Sequence, residues 1–270
     1  MNQFILSIDQ GTTSSRVVIY DKNFIVIDSL QKDVEQFFPK DGWVEHDAYN
    51  IWKDVKKLIE DILEKNSIDS SQILSIGISN QRETTVLWDK TNGIPVNKAI
   101  VWQDRRTIEI CKKLRDQKIE KKIQKITGLI IDPYFSATKI KWILDNNPKA
   151  KRLYKEKKLL FGTIDTWLLW NLTERKSHLT DITNASRTML YDLKNEIWST
   201  EILKSLNIPK DILPDVTQNT YNFGSTNLFG DSIPIGGMAG DQQASAIGLS
   251  CFEKGQTKST YGTGCFLLMN

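Results

Sequence analysis

The chain has 270 residues, of which 40% are hydrophobic and 26% are charged, with a formal net charge of +3. This is the composition of an ordinary globular protein, and the interleaving of basic with acidic residues along predicted helices argues against a nucleic-acid-binding surface. The three cysteines are too far apart for a zinc site, and no apolar run reaches the ~18 residues that span a bilayer. Sparse cysteines favour a reducing compartment, so we expect a cytoplasmic location.

The first third of the chain mixes strand-like and helix-like patterns. Runs rich in β-branched residues predict a three-stranded meander at residues 4–8, 16–20 and 25–30. Apolar residues then recur every three or four positions, which predicts an amphipathic helix from about Asp47, a favourable N-cap, to Asn66. Strand patterns return at residues 73–79 and 84–88. This order of elements indicates an α/β fold.

The rest of the chain is mainly helical up to residue 170, with the clearest helical periodicity at residues 136–146 and 163–172. Residues 234–240 are rich in glycine and precede a helix start made of small residues. Residues 257–270 predict a strand, a glycine turn and a second strand. Because the chain ends in an apolar run, where a strand would still need a partner, we expect it to be truncated.

The turn after the first strand has the residue types of a phosphate-binding loop. Residues 9–16 read DQGTTSSR, in which an acid ends an apolar strand and one glycine and four hydroxyl residues follow. Such a turn presents backbone N–H groups and hydroxyls to phosphate oxygens. Asp9 is placed to hold Mg²⁺ through water, and Arg16 to meet a transferred phosphoryl group. An ordinary Ser- and Thr-rich hairpin turn remains an alternative.

A second glycine turn, residues 261–265, lies between short apolar runs and repeats the design of the first. The two turns together suggest a duplicated phosphate clamp, with a second ordinary hairpin as the alternative. The sequence contains no G-x-x-x-x-G-K-[ST] motif, and no G-x-G-x-x-G motif follows the first strand. A P-loop or dinucleotide-binding fold is therefore not indicated.

Nine blocks in chain order carry a more specific signal: DQGTTSSR (9–16), GWVEHD (42–47), SNQRETTVLWD (79–89), AIVWQDRRT (99–107), IDPYFSATKIKWIL (131–144), FGTIDTWLLW (161–170), TDITNASRTMLYD (180–192), GMAGDQQAS (237–245) and STYGTGCFLLMN (259–270). They closely resemble the glycerol kinases of the sugar-kinase family. The resemblance implies an α/β, ribonuclease-H-like or actin-like ATPase domain, with a mixed five-stranded sheet flanked by helices. It also implies an N-terminal glycerol-binding domain at residues 1–250 and the first strands of a truncated C-terminal nucleotide-binding domain at residues 251–270.

The family's functional residues are carried over to matching positions. The implied nucleotide-binding residues are Thr12, Thr13, Ser14, Arg16 and Thr263. The implied glycerol-binding residues are Arg82, Glu83, Trp102, Tyr134, Asp241, Gln242 and Phe266. Asp241 is the expected general base. The implied ligands are glycerol, ATP and Mg²⁺, and the full-length protein is expected to be a homo-oligomer.

Several alternatives stay open at this point. Without the family, Arg82 and Glu83 would form a surface ion pair, Trp102 would be a core residue, and Asp241 would be the N-cap of the helix it opens. We expect His46 to be structural and His178 to lie on the surface. A non-catalytic glycerol-binding fragment and a part of a kinase for another polyol or ketose are the alternative functions. As a truncated kinase, it is expected to show weak turnover or none.

Overall fold

The structure is a computed structural model that describes residues 3–262 and 264–270, so the predicted nucleotide-binding residue Thr263 lies outside the described residues. The strands are β1 Phe4–Gln10, β2 Ser14–Asp21, β3 Val26–Asp33, β4 Gln36–Phe37, β5 Glu45–His46, β6 Ile73–Asn80, β7 Val86–Asp89, β8 Ala99–Ile100, β9 Leu159–Gly162, β10 Leu179–Asp181, β11 Tyr191–Asp192, β12 Ile197–Trp198, β13 Asp215–Thr217, β14 Ser225–Thr226, β15 Ile233–Gly240, β16 Thr257–Tyr261 and β17 Cys265–Met269. The α-helices are α1 Ala48–Lys65, α2 Ile108–Asp116, α3 Glu120–Thr127, α4 Ser136–Asn146, α5 Pro148–Lys155, α6 Ile164–Leu172, α7 Ile182–Ala185, α8 Thr200–Leu206 and α9 Asp241–Gly248. Short 3₁₀ helices lie at Ser70–Gln72 and Lys210–Ile212.

A mixed six-stranded sheet forms the centre of the fold, in the order β14-β15-β6-β1-β2-β3. The predicted meander is confirmed, since β1, β2 and β3 pair antiparallel, whereas β6 pairs parallel with both β1 and β15. The five longer strands agree with the expected mixed five-stranded sheet. The sixth strand, β14, was not predicted, because two residues are too few to show strand alternation.

Helices cover the sheet and enclose the core. Helix α1 begins where the sequence predicts, since the Asp47 side chain accepts hydrogen bonds from the backbone N–H groups of Tyr49 and Asn50. The apolar stripe of α1 packs with α6 and the sheet in one buried cluster. A second buried cluster joins α2, α3, α4, α5 and α8. The first cluster therefore joins the central sheet to α1 and α6, and the second lies among the other helices.

The parallel strands bring three chain segments to one edge of the sheet. Gln10 at the end of β1 and Gly240 at the end of β15 are both in register with Asn80 at the end of β6. The residues after these strands must therefore lie close together. They are the glycine turn after Gln10, the Arg82–Glu83 pair and Asp241. The α/β topology thus gathers the predicted site residues from distant parts of the sequence.

The last two strands form a hairpin of their own, as the sequence predicts. Strands β16 and β17 pair antiparallel outside the central sheet and contact α9. Tyr261, Leu267 and Met269 are among the most exposed large apolar side chains. Among residues 3–262 and 264–270, none of the helices combines the length and apolar character of a bilayer-spanning segment.

The two histidines were expected to differ in burial, with His46 inside the protein and His178 on its surface. His46 is fully buried, in agreement with a structural role. The expectation of a surface position for His178 is wrong, because its ring packs edge-on against Trp88 and Trp170 and its Nε2 lies 2.8 Å from the Phe161 carbonyl oxygen. Burial lowers the pKa of each histidine to about 4.

Candidate active site

Arg82 and Glu83 are buried after β6, with only 5% and 1% of their surfaces exposed. They are therefore not a surface ion pair. Glu83 has a positive φ of 62°, which a non-glycine residue adopts only when its surroundings hold it there. Its backbone carbonyl accepts hydrogen bonds from Ser136 Oγ at 3.0 Å and Lys139 Nζ at 3.4 Å. Helix α4 thus fixes the backbone of a predicted substrate-binding residue.

The Glu83 carboxylate is held by a residue to which sequence reasoning assigned no role. Arg187 Nε lies 2.6 Å from Glu83 Oε1, and the Arg187 guanidinium also stacks over the ring of Tyr134, 5.4 Å from its centroid. Burial raises the pKa of Glu83, while the charges of Arg82 and Arg187 act against this. Arg187 lies within a family-like block, but no spacing in the sequence links it to Glu83.

Lys139 is a second missed residue, and it is fully buried. Besides Glu83, its ammonium donates to the Tyr134 carbonyl oxygen at 2.5 Å. Burial lowers the pKa of Lys139 to about 7, although the Glu83 carboxylate acts in the opposite direction. A signal was available, because Lys139 lies three residues after Ser136 and four before Ile143, on a helix face that is otherwise uncharged.

Asp241 is the first residue of α9 rather than its N-cap, which is Gly240. Its Oδ1 accepts from the Gln242 backbone N–H at 2.7 Å and lies 3.3 Å from Arg82 Nε. The Arg82 Nε–H is not aligned for a hydrogen bond, and in the described part of the chain it has no acceptor. Burial raises the pKa of Asp241, and Arg82 lowers it. The Asp241 carboxylate, with its raised pKa, therefore lies beside an Arg82 N–H group that has no acceptor in the described residues.

A polar network behind the site fixes the backbone just before Asp241. Thr183 Oγ1 donates to Asp181 Oδ2 at 2.5 Å and accepts from the Gly240 N–H at 2.8 Å. Asn219 links the same carboxylate oxygen to the Met238 carbonyl, at 2.7 and 3.0 Å. The end of β15 is therefore anchored at two points, which sequence spacing did not indicate.

Three aromatic rings form one wall of the site. Trp102 packs edge-on against Tyr134 and Phe266, with ring centroids 5.4 and 6.0 Å apart. Trp102 is only partly buried, so it is not a core residue. Its indole Nε1 donates to Thr12 Oγ1 at 2.8 Å. The wall therefore joins the first glycine turn to the hairpin at the end of the chain.

These groups enclose a cavity of about 150 Å³. It is lined by Thr12, Gln81, Arg82, Glu83, Trp102, Tyr134, Asp241, Gln242, Thr260, Gly262, Gly264 and Phe266. The seven residues predicted to bind glycerol are all among them, together with Thr12. Thr260 is a lining residue that sequence reasoning missed, although it directly precedes the second glycine turn. The binding roles of these residues remain predictions.

The other predicted nucleotide and metal residues lie beside the cavity rather than in its wall. Thr13 is exposed, Ser14 opens β2, and Arg16 donates to Gln31 Oε1 through Nε and Nη2 at 3.0 and 2.6 Å. Burial raises the pKa of Asp9, which Arg16 lowers and the nearby Asp241 carboxylate raises further.

Asp9 is a carboxylate, a ligand type that Mg²⁺ accepts alongside retained water. The described residues include no group of three or more His, Cys, Asp or Glu side chains that could form a protein-only metal site. The role of Asp9 at a magnesium ion stays a prediction.

Comparison with known proteins relates the chain to carbohydrate kinases. The profile of the FGGY family of carbohydrate kinases, N-terminal domain, matches residues 4–248. A glycerol kinase from Alcanivorax borkumensis is 52% identical over 269 residues, covering 99% of this chain and 54% of the relative. A glycerol kinase from Petrotoga mobilis is 53% identical over 272 residues, covering 100% of this chain and 55% of the relative. The chain thus spans about half the length of the curated relatives it matches.

A solved structure gives the same result for the fold. The crystal structure of Plasmodium falciparum glycerol kinase with ADP superimposes with a TM-score of 0.94 at 38% identity, over 100% of this chain and 54% of that one. The profile match includes the three parallel strands, all of α9 and eight of the twelve residues that line the cavity. The chain therefore belongs to the FGGY family of carbohydrate kinases.

Proposed function

We propose that the cavity binds glycerol and that the chain forms the substrate-binding part of an ATP-dependent glycerol kinase. The observation that carries this proposal is the convergence of Arg82, Glu83 and Asp241 with three aromatic rings around about 150 Å³. A small polyol needs donors and acceptors on one side and apolar cover on the other. The similarity to glycerol kinases supports glycerol as the polyol.

Arg82 and Glu83 recognise different hydroxyl groups of glycerol. The guanidinium of Arg82 donates to one hydroxyl, and the Glu83 carboxylate, held by Arg187, accepts from another. Trp102 and Phe266 cover the carbon edge and exclude water, which would otherwise compete as the phosphoryl acceptor. Arg187 and Lys139 hold Glu83 in place without contacting the substrate.

Asp241 acts as the general base. A glycerol hydroxyl oxygen forms the new bond to the terminal phosphorus of ATP, the bond from that phosphorus to the bridging oxygen breaks, and ADP leaves with the electron pair. The hydroxyl proton passes to the Asp241 carboxylate and then to solvent, which yields sn-glycerol 3-phosphate. The raised pKa of Asp241 suits this role, because burial makes the carboxylate a better proton acceptor.

The nucleotide side of the proposal rests on the two glycine turns. Thr12, Thr13, Ser14 and Thr263 are the proposed phosphate contacts, with Arg16 nearby. Asp9 would hold Mg²⁺ through water, and the ion would neutralise phosphate charge when bound. We further propose that residues 251–270 open a second, nucleotide-binding domain, that the whole protein is a homo-oligomer, and that it is cytoplasmic.

Isothermal titration calorimetry on the 270-residue chain tests the glycerol site. We expect glycerol to bind, and Arg82→Gln to weaken binding by about tenfold or more, since a lost charged hydrogen bond is worth about 1.5–3 kcal/mol. Arg152→Met, which removes an exposed arginine, is the matched control and should bind normally. Absence of glycerol binding by the wild-type chain would refute the proposal.

A coupled ADP-release assay tests the reaction, although weak turnover or none is expected of this chain. Any glycerol-dependent turnover of the wild-type chain should fall by about 10²–10⁴-fold in Asp241→Asn, because the variant lacks the proton acceptor. Xylulose and erythritol serve as competing acceptors, and a preference for either would assign another substrate. Glycerol binding without ATP binding or turnover would identify this chain as a binding module only.

A further inference from the structure

Lys258, in strand β16, is a buried cation that the mechanism above does not use. Only 4% of its surface is exposed. Its ammonium donates to Gln242 Oε1 and, at 2.6 Å, to Thr260 Oγ1. In residues 3–262 and 264–270 no carboxylate forms an ion pair with Lys258, although the Asp241 charge is close enough to act on it. Both of its hydrogen-bond partners are therefore neutral oxygens.

These contacts determine how Gln242 is oriented. An ammonium group can only donate, so the amide oxygen of Gln242, not its nitrogen, must face Lys258. The two N–H bonds of the amide then point away from Lys258, and the side chain also hydrogen-bonds the Asp241 carboxylate, which acts to lower the pKa of that acid. Gln242 is itself 5% exposed and lines the cavity, so its remaining N–H bond is a donor there.

The same argument applies to Thr260. Its hydroxyl oxygen accepts a proton from Lys258, which leaves the hydroxyl hydrogen free to donate elsewhere. Thr260 also lines the cavity and directly precedes the second glycine turn. The hairpin side of the cavity thus carries N–H and O–H donors, and Asp241 supplies acceptors nearby.

We propose that Lys258 is a positioning residue that turns Gln242 and Thr260 into donors for the phosphoryl group of the product, so that the site favours glycerol phosphate over glycerol. Phosphoryl oxygens are pure acceptors and match a wall of donors, whereas hydroxyl groups can bind either donors or acceptors. The inference rests on the proposed function, because it assigns the phosphorylated end of the same substrate.

The test compares two ligands on the same protein. Dissociation constants for sn-glycerol 3-phosphate and for glycerol are measured by calorimetry on the wild-type chain and on Lys258→Met. We expect both affinities to fall, since Gln242 is also a proposed glycerol contact, but the glycerol phosphate affinity to fall at least about fivefold more than the glycerol affinity, because glycerol phosphate loses two oriented donors. Lys258→Arg, which keeps a buried donor group, should restore part of the difference. Lys254→Met, an exposed residue in the turn before β16, is the matched control and should change neither.

A ratio of affinities separates positioning from a purely structural role. If Lys258 only joins the hairpin to α9, both ligands should weaken equally in Lys258→Met, and that result would overturn the inference. Should Lys258→Met not fold, Thr260→Val gives the same test, because it removes only one of the two donors. The inference would also be overturned if Thr260→Val left the ratio of the two dissociation constants unchanged. The same holds if the wild-type chain bound glycerol but not glycerol phosphate. Failure of the wild-type chain to bind glycerol would instead refute the proposed function.

Discussion

The guanidinium of Arg187 and the carboxylate of Glu83 form a charge-assisted hydrogen bond, with Nε 2.6 Å from Oε1, across a sequence separation of 104 residues. Glu83 is almost fully buried, so without this partner its carboxylate would lose much of its charge compensation. The pair also brings Arg187 against the ring of Tyr134. A single contact between distant segments therefore fixes both a charge and an aromatic wall of the cavity.

Replacing Arg187 with methionine should remove the charged partner that holds the Glu83 carboxylate in place. Breaking a buried ion pair by removing one partner costs about 3–5 kcal/mol, so we expect a lower free energy of unfolding and at least about tenfold weaker glycerol binding. The pKa of Glu83 should also rise further, so binding should weaken more at pH 6 than at pH 8. Calorimetry at both pH values and urea denaturation measure these effects. Unaltered glycerol affinity in a folded variant would show that Glu83 does not contact the ligand.

Gly240→Ala should disturb the site without disturbing the strand. The backbone of Gly240, with φ of −59° and ψ of 144°, is accessible to alanine. However, its new Cβ would lie 2.5 Å from Cδ and 2.7 Å from Cγ of Arg82, so the arginine must shift. We expect glycerol affinity to fall by about tenfold. The neighbouring Gly237→Ala, whose Cβ would meet nothing within 4 Å, is the control and should bind glycerol normally.

Lys139→Met should weaken both stability and glycerol binding. The variant leaves the Tyr134 carbonyl without this donor and the Glu83 carbonyl with Ser136 alone, and a buried polar group left unsatisfied costs about 1–3 kcal/mol of unfolding free energy. Because the Glu83 backbone loses one of its two contacts with α4, glycerol affinity should fall as well. Lys141→Met on the same helix, which removes a partly exposed pair with Asp145, is the control for both urea denaturation and calorimetry. Normal glycerol affinity in a folded Lys139→Met variant would contradict a positioning role.

His46 should make the protein less stable in mild acid. Burial lowers its pKa in the fold to about 4 from 6.5, so between these values the unfolded chain binds a proton that the folded chain does not. Stability from this group is complete above pH 6.5 and is lost as pH falls towards 4. The loss between pH 7 and pH 5 is about 2 kcal/mol. Buried acids with raised pKa values, such as Asp165, act in the opposite direction, so the wild-type trend alone does not isolate the histidine.

Comparing the pH dependence of stability between the wild type and a His46 variant isolates the contribution of His46. His46→Asn keeps an acceptor near the position of Nδ1, which lies 3.3 Å from Gln81 Nε2, but it removes the titrating ring. Urea denaturation of both proteins at pH 7 and pH 5 should show the wild type losing about 2 kcal/mol relative to the variant. A constant difference would mean that His46 does not stay neutral in the fold.

Local patterns predicted the framework of the fold well. The helix after Asp47 and the helix at Ser136–Asn146 lie where periodicity placed them, and the meander pairs as expected. These features depend on residues that are close in sequence, so alternation and capping reveal them. The two-residue strand Ser225–Thr226 escaped prediction because so short a segment carries no periodicity.

Some of the site residues were also predictable, but from family resemblance rather than from local sequence patterns. Residue identity alone could not show that Arg82 and Glu83 are buried, and only family resemblance suggested a shared pocket with Asp241. Arg187 and Lys258 were missed because their partners are set by tertiary contacts, which no spacing records. His178 was misjudged because it follows a polar stretch, although its ring closes an aromatic cluster.

The hydrogen bond from Trp102 to Thr12 has a consequence for ligand cooperativity. The Thr12 oxygen already accepts the indole N–H, so its own hydrogen is available to a phosphate at the first glycine turn. Any movement of Thr12 on meeting phosphate would be transmitted to the ring that covers the glycerol cavity. Because energetic coupling is reciprocal, glycerol under that ring would alter phosphate affinity by the same factor.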